Sequence, residues 1–244
     1  PKFPLPNNYL FLLRHCYFTS VPTPELRSQP SLLARLSEER GEREKLLRHI
    51  VLTLEKIAYG GIYDHIGGGF ARYSTDGEWK VPHFEKMLYD NAQLVSLYSE
   101  AYQFNKNPLY KSVVYETLEF IQRELTSPEG AFYAALDADS EGVEGKYYVW
   151  TKEHLAHIFS EGDDLKIFCE YFNVNENVYW ENGAYILLRK KSEEEIAMGL
   201  NLRVEELQKK ISECKKKLLA VREKRIRPGL DNKILTSWNA LMIK

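Results

Sequence analysis

The chain has 244 residues, 44% hydrophobic and 28% charged, an ordinary globular balance with room for one large domain or two small ones. Its net charge of -2 and pI near 6.4 speak against a nucleic-acid or anionic-membrane surface. No apolar run reaches the roughly 18 residues that a transmembrane helix needs, and no signal-peptide pattern opens the chain. Neither nucleic acid nor membrane is therefore expected as a partner. Cys16, Cys169 and Cys214 are far apart and form no CxxC. They read as small buried hydrophobes in a reducing, cytoplasmic setting.

In chain order, Asn7 or Asn8 can cap a first helix through YLFLLRHCYF, and the proline-rich SVPTPELRSQP that follows reads as a loop. Leu47, Ile50, Val51, Leu54, Ile57 and Ala58 keep the three-and-four spacing of a long helix from about Glu42 to Tyr59. Gly60 and Gly61 stop it. The next helix is expected to start near Pro82 or His83, with Phe84, Leu88, Asn91, Val95, Tyr98 and Tyr102 inward. Asn107 and Pro108 then cap a helix to about Leu125, and the short turn between the two requires an αα-hairpin.

From Ala131 the texture becomes aromatic. AFYAAL and KYYVW flank the acidic DADSEGVEG and read as two strands of a small β-hairpin. Short helices follow from Thr151 and from Asp163 or Asp164, GAYILLRK reads as a strand, and Ser192 with Glu195 has capping-box spacing. A last long helix spans about Arg203 to Ile226, striped by Leu207, Ile211, Cys214, Leu218 and Val221, its lysines forming a solvated face. Another helix begins at Thr236 or Ser237. The fold class expected is mainly α: a partial α/α toroid of helical hairpins with small β-hairpin insertions. The Pro1 start and the helix running to Lys244 suggest a single domain over 1–244, cut at both ends.

The chemistry concentrates between Gly60 and Asn91, GGIYDHIGGGFARYSTDGEWKVPHFEKMLYDN. The Gly67–Gly69 run allows positive φ and close approach, but GxGxxG or GK[ST] order is missing, so a phosphate cradle is not indicated. Tyr63, Asp64, Arg72, Tyr73, Asp76, Trp79, Tyr89 and Asn91 supply the donors, acceptors and ring faces that sugars need. His83, at an expected helix N-terminus, would stay neutral and suit general-base work. Lys86 and Asp90 are four apart and could pair. A metal set of Asp64, His65, His83 and Glu85 lacks HExxH spacing, and the EF-hand-like start at Asp137, Asp139 and Glu141 places Tyr148 where the twelfth ligand should be. No metal or cofactor is expected. Asp64, Glu85, Asp90, Asp137 and Asp139 include pairs that could serve glycoside hydrolysis.

Three blocks resemble, in order, the spermatogenesis-associated thioredoxin-domain family of bacteria and animals. They are GGIYDHIGGGFARYSTDGEWKVPHFEKMLYDNAQL, LDADSEGVEGKYYVWT and RPGLDNKILTSWNALMIK. VPHFEKMLYDNA is the most specific block, whereas Asn232 stands where such proteins often have Asp, and Ala240 where they often have Gly. The resemblance implies an upstream thioredoxin-like domain outside this span. It also implies a toroid similar to six-hairpin glycosidases and N-acylglucosamine 2-epimerases.

The reading that follows is a carbohydrate-binding or carbohydrate-transforming domain, with a saccharide ligand held by Tyr63, Asp64, Arg72, Tyr73, Trp79, Tyr89, Asn91, Asp137 and Asp139. An epimerase or isomerase would use His65 and His83 as its acid–base pair with Arg72 on the oxyanion. A hydrolase would pair Glu85 or Asp90 with Asp137 or Asp139. The rival reading is a non-catalytic platform serving the thioredoxin-like domain. Exposed helix faces on a partial toroid also predict self-association.

Overall fold

Helices α1 (Pro6–Phe18) and α2 (Pro30–Tyr59) open the architecture in a computed structural model that describes residues 1–18, 30–159, 162–175 and 180–244, with the side chains of 30–39 undescribed. The predicted loop at 20–30 therefore lies outside the described residues, apart from Pro30, which opens α2. Three two-residue strands follow: β1 (Tyr73–Ser74), β2 (Pro82–His83) and β3 (Lys86–Met87). Helices α3 (Leu88–Asn105) and α4 (Pro108–Glu124) form the expected αα-hairpin. Its turn is fixed by Lys106 in the left-handed region and by the Asn107 side chain, which accepts from the Leu109 N–H.

The second half carries β4 (Ala135–Leu136), β5 (Asp139–Ser140), β6 (Val143–Glu144) and β7 (Trp150–Thr151). After them come α5 (Lys152–Phe159), α6 (Asp163–Tyr171), β8 (Ala184–Tyr185), α7 (Glu193–Gly199), α8 (Val204–Arg222), β9 (Leu230–Asp231) and α9 (Thr236–Ile243). The architecture is mainly α with small strand pairs. The Ser192–Glu195 capping box forms as spaced, and the three cysteines are free.

Among the described residues the two largest apolar cores divide the structure, with smaller clusters around Phe120 and around Phe84 beside them. The first joins α1, α2, α3 and the start of α4 through Leu54, Ile57, Phe70, Leu97, Tyr98 and Tyr110. The second joins α5 to α8 through Trp150, Leu155, Phe168, Leu207, Cys214 and Leu218. Strand β4 ties the halves together, pairing antiparallel with β3 on one side and with β9 on the other. The segment between α2 and α3 lies between these cores and is in contact with both.

The structure corrects three expectations. Pro82–His83 and Lys86–Met87 are short strands, so the helix begins at Leu88 and His83 does not occupy a helix N-terminus. AFYAAL and KYYVW do not pair with each other: β4 joins β3 and β9, β7 joins β8, and the hairpin is β5–β6 inside the acidic loop. The tight return is the Glu141–Gly142 turn, both at positive φ (55° and 72°), a region glycine enters without strain. Finally, the inward face of α3 is Leu88, Asn91, Ala92, Leu94, Leu97, Tyr98 and Ala101, rotated from the predicted stripe at Val95 and Tyr102.

Candidate functional site

The polar residues between Gly60 and Asn91 separate into a closed interior and an open face. Asp64 is the centre of the interior. Its carboxylate accepts from Lys86 Nζ at 2.8 Å and Arg222 Nη1 at 2.9 Å. The backbone N–H groups of Ile66 and Gly67 add two more bonds at 3.0 Å. Burial pushes the carboxyl up, but Arg222 and Lys86 override it and hold Asp64 well below the usual carboxylate range. Lys86 is brought down to about 8 by burial, against the opposing pull of Asp64. Lys86 thus pairs with Asp64, correcting the expected Lys86–Asp90 pair.

Around this ion group the cations lie on aromatic faces: Lys86 over Phe120 at 4.4 Å and Tyr148 at 4.9 Å, Arg222 over Tyr147 at 5.3 Å and Tyr148 at 5.5 Å. The glycine run belongs to the same assembly. Gly68 and Gly69 have φ of 76° and 80°, and a Cβ on Gly67 would collide with Arg222, one on Gly68 with the Glu116 carbonyl. The triplet serves close packing of a turn against α4 and α8.

Three more predicted ligand residues, Asn91, Tyr63 and Trp79, and the predicted acid–base residue His65 are enclosed here. Asn91 is fully buried; its amide accepts from Phe70 N–H at 2.7 Å and donates to the carbonyls of Phe70 and Met87 at 3.1 and 2.9 Å. His65 is buried with Nε2 3.1 Å from the Gly60 carbonyl and its ring against Tyr63 and Phe172. Burial brings it down to about 3, so its ring is neutral. Tyr63 donates to Glu116 at 2.7 Å from within the first core. Trp79 is also in that core, its backbone left-handed with φ of 63° and its carbonyl bonded to Gly61 N–H at 2.7 Å. Asp76 closes its own loop by accepting from the N–H groups of Glu78, Lys80 and Val81.

The open face holds Arg72, Tyr73, His83, Glu85, Tyr89 and Asp90. β1 pairs with β2 so that Tyr73 lies opposite His83, and their rings stack at 4.9 Å. Arg72 donates to Glu85 at 3.0 Å, and Glu85 Oε2 lies 3.8 Å from His83 Nε2. His83 Nδ1 is 2.8 Å from Glu144 Oε1, delivered by the β5–β6 hairpin. Glu144 has no counterpart in the sequence reading, where an acidic turn offered no partner for it.

Asp90, in the first turn of α3, is raised to about 7 by burial, which outweighs the opposing effects of Arg72 and Tyr89. Its Oδ2 is buried without a partner, as is Arg72 Nε. The rim expectation divides: Asp139 lies opposite Glu144 in the hairpin, while Asp137 hydrogen-bonds through its backbone N–H to Gly229, and both carboxylates are exposed. Among the described residues no three His, Cys, Asp or Glu side chains converge as metal ligands, and no helix is long and apolar enough to cross a membrane.

No family model matches the chain. It is 34% identical to human spermatogenesis-associated protein 20 over 266 residues, covering all of this chain and 32% of that protein. The mouse protein of the same name is 33% identical over all of this chain and 31% of its own length. An uncharacterised protein of Caenorhabditis elegans is 35% identical over 86% of this chain and 32% of its own length. The chain thus spans about a third of the relatives it matches. Over its full length the chain is similar to a part of spermatogenesis-associated protein 20.

Proposed function

We propose that the chain forms the N-terminal part of an α/α-toroid domain, with a thioredoxin-like domain upstream in the whole protein, and that its open face binds a carbohydrate and moves a proton on it. The observation that carries this reading is Asp90. A carboxyl held near 7, its Oδ2 buried just beneath the face without a partner, suits proton exchange at neutral pH. It shares its face with an imidazole, His83, and with a guanidinium, Arg72, which can face a developing oxyanion. Tyr73 and Tyr89 border the same face and offer ring surfaces for a sugar's C–H face.

In an epimerase- or isomerase-like reaction, His83 or Asp90 would take the proton from the carbon next to a carbonyl. The C–H electron pair would delocalise onto the carbonyl oxygen facing Arg72, and the other group would return a proton. In this scheme His65, enclosed against Gly60 and Phe172, supports the fold rather than the chemistry. A glycosidase-like reaction would instead pair Asp90 or Glu85 with Asp139.

The test is Asp90→Asn in the full-length protein, incubated with mono- and disaccharides in deuterated water. The expected result is deuterium entering a substrate carbon with the wild type and a rate about 10²–10⁴ lower with the variant. Undiminished turnover by a folded variant overturns the assignment. A second reading, a non-catalytic platform for partner proteins, draws support from the motif residues locked in the interior: Tyr63, His65, Trp79 and Asn91, with the Asp64 side chain 9% exposed. It predicts no sugar turnover and no functional effect of Asp90→Asn.

A further inference from the structure

We infer that Glu144 is a positioning residue for His83, fixing the imidazole tautomer so that Nδ1 carries the proton and Nε2 carries the lone pair on the open face. The proposal rests on the proton-transfer reading for its purpose and on local geometry for its content. One oxygen of Glu144, Oε1, accepts from both His83 Nδ1 at 2.8 Å and the Phe84 backbone N–H at 3.3 Å. An ionised carboxylate only accepts, so a neutral ring facing it must donate from Nδ1. The opposite nitrogen, Nε2, then has the lone pair that a general base requires.

The geometry is held from several directions. Tyr73 stacks on the ring at 4.9 Å, and the β1–β2 register fixes the His83 backbone. Glu144 is fixed by the β5–β6 hairpin, whose Ser140 hydroxyl donates to the Ile226 carbonyl. Next to it, Gly145 has φ of 73°, presses on the Phe84 ring where a Cβ would collide, and donates to the Ala138 carbonyl at 3.1 Å. Phe84 is in turn stacked on Tyr148 at 5.6 Å. The hairpin, far from a loose acidic turn, is docked on the residue after His83. On proton transfer to Nε2 the ring becomes cationic, with Glu144 at one nitrogen and Glu85 at 3.8 Å from the other. The first carboxylate sets the ring's tautomer; the second faces the charge that appears.

The experiment is histidine-selective ¹⁵N NMR on the full chain, comparing the wild type with Glu144→Ala and Glu144→Asp at a pH where the ring is neutral. The expected wild-type signal for His83 is the Nδ1–H form, with loss of that preference in Glu144→Ala. An Nε2–H wild type, or an unchanged tautomer in Glu144→Ala, overturns the proposal. Should Glu144→Ala not fold, Glu144→Asp decides: with the carboxylate drawn back by one methylene, an unchanged tautomer and an unchanged Nδ1 proton signal overturn it equally. Because the tautomer is read without substrate, failure here is separate from failure of the carbohydrate reading. Where turnover is measurable, Glu144→Ala is expected to lower kcat at least tenfold with KM within about twofold, and an unchanged kcat overturns the positioning role.

Discussion

Two groups of charges lie within one short stretch of chain and behave in opposite ways. Around Asp64 every carboxylate oxygen is bonded, and the side chains of Lys86 and Arg222 are each 3% exposed. Around Asp90 the ion pairs are partly wet: the side chains of Arg72 and Glu85 are 40% and 26% exposed, and a carboxylate oxygen remains unpartnered. The first arrangement can do little chemistry because its groups are committed to each other. The second carries Asp90, raised to about 7, on a face that water reaches. Density of polar residues in a sequence is therefore no measure of function; the difference lies in which partners the fold has already supplied.

This contrast can be broken most severely at Asp64. Asp64→Asn leaves Lys86 and Arg222 buried without their counter-charge, and a loss of about 3–5 kcal/mol in urea denaturation is expected. A loss below about 1 kcal/mol would place the two regions in the same class. Asn91→Leu is next: two polar groups of Phe70 would lose their partner inside the core, costing about 2–4 kcal/mol by the same measurement.

Titration sharpens the comparison further, since the two regions push stability in opposite directions. His65 has a folded value of about 3 against an ordinary 6.5. Its contribution is complete above 6.5 and is lost as pH falls from 6.5 towards 3. Asp90 is raised from 3.8 to about 7. Its contribution is complete below 3.8 and is lost as pH rises through 7. Each slope approaches at most about 1.4 kcal/mol per pH unit inside its window, and between 3.8 and 6.5 the two oppose each other. His65→Gln should therefore make stability fall more steeply with rising pH in that range, and Asp90→Asn should make it rise more steeply. Identical slopes in both variants would refute the opposition.

The smallest effect is expected at Arg72→Ala. Its ion pair with Glu85 is half in water, so the stability change should stay under about 1 kcal/mol while sugar turnover falls. A large stability loss with unaltered turnover would move Arg72 into the structural group.

Much of the helical frame was legible because it follows local rules. The Asn107–Pro108 cap, the Ser192–Glu195 box and the Leu207–Leu218 stripe each need only neighbouring residues, and each formed as expected. Residues 82–87 were misread because Pro82 is equally at home in a strand end and in a helix first turn; pairing with β1 and β4 decided it. Site partners were the least legible. Glu144 reaches His83 across 61 residues, and Arg222 reaches Asp64 across 158. One signal was present: Arg222 continues the buried row through Leu207, Ile211, Cys214 and Leu218, and a cation on an apolar row implies a buried anion elsewhere.

That 158-residue span between Asp64 and Arg222 also sets a clock. At about 5–20 residues per second of synthesis, Arg222 is made roughly 8–30 s after Asp64. Through that interval Lys86 is the one side-chain cation of the finished group that Asp64 can meet, and the turn at Gly67 lacks the guanidinium that packs on it. The N-terminal core can collapse early, but the segment carrying the open face must wait for the helix that locks its underside. Premature release or a nonsense codon before Arg222 would therefore yield a chain with its first core assembled and its open face without the helix that locks its underside.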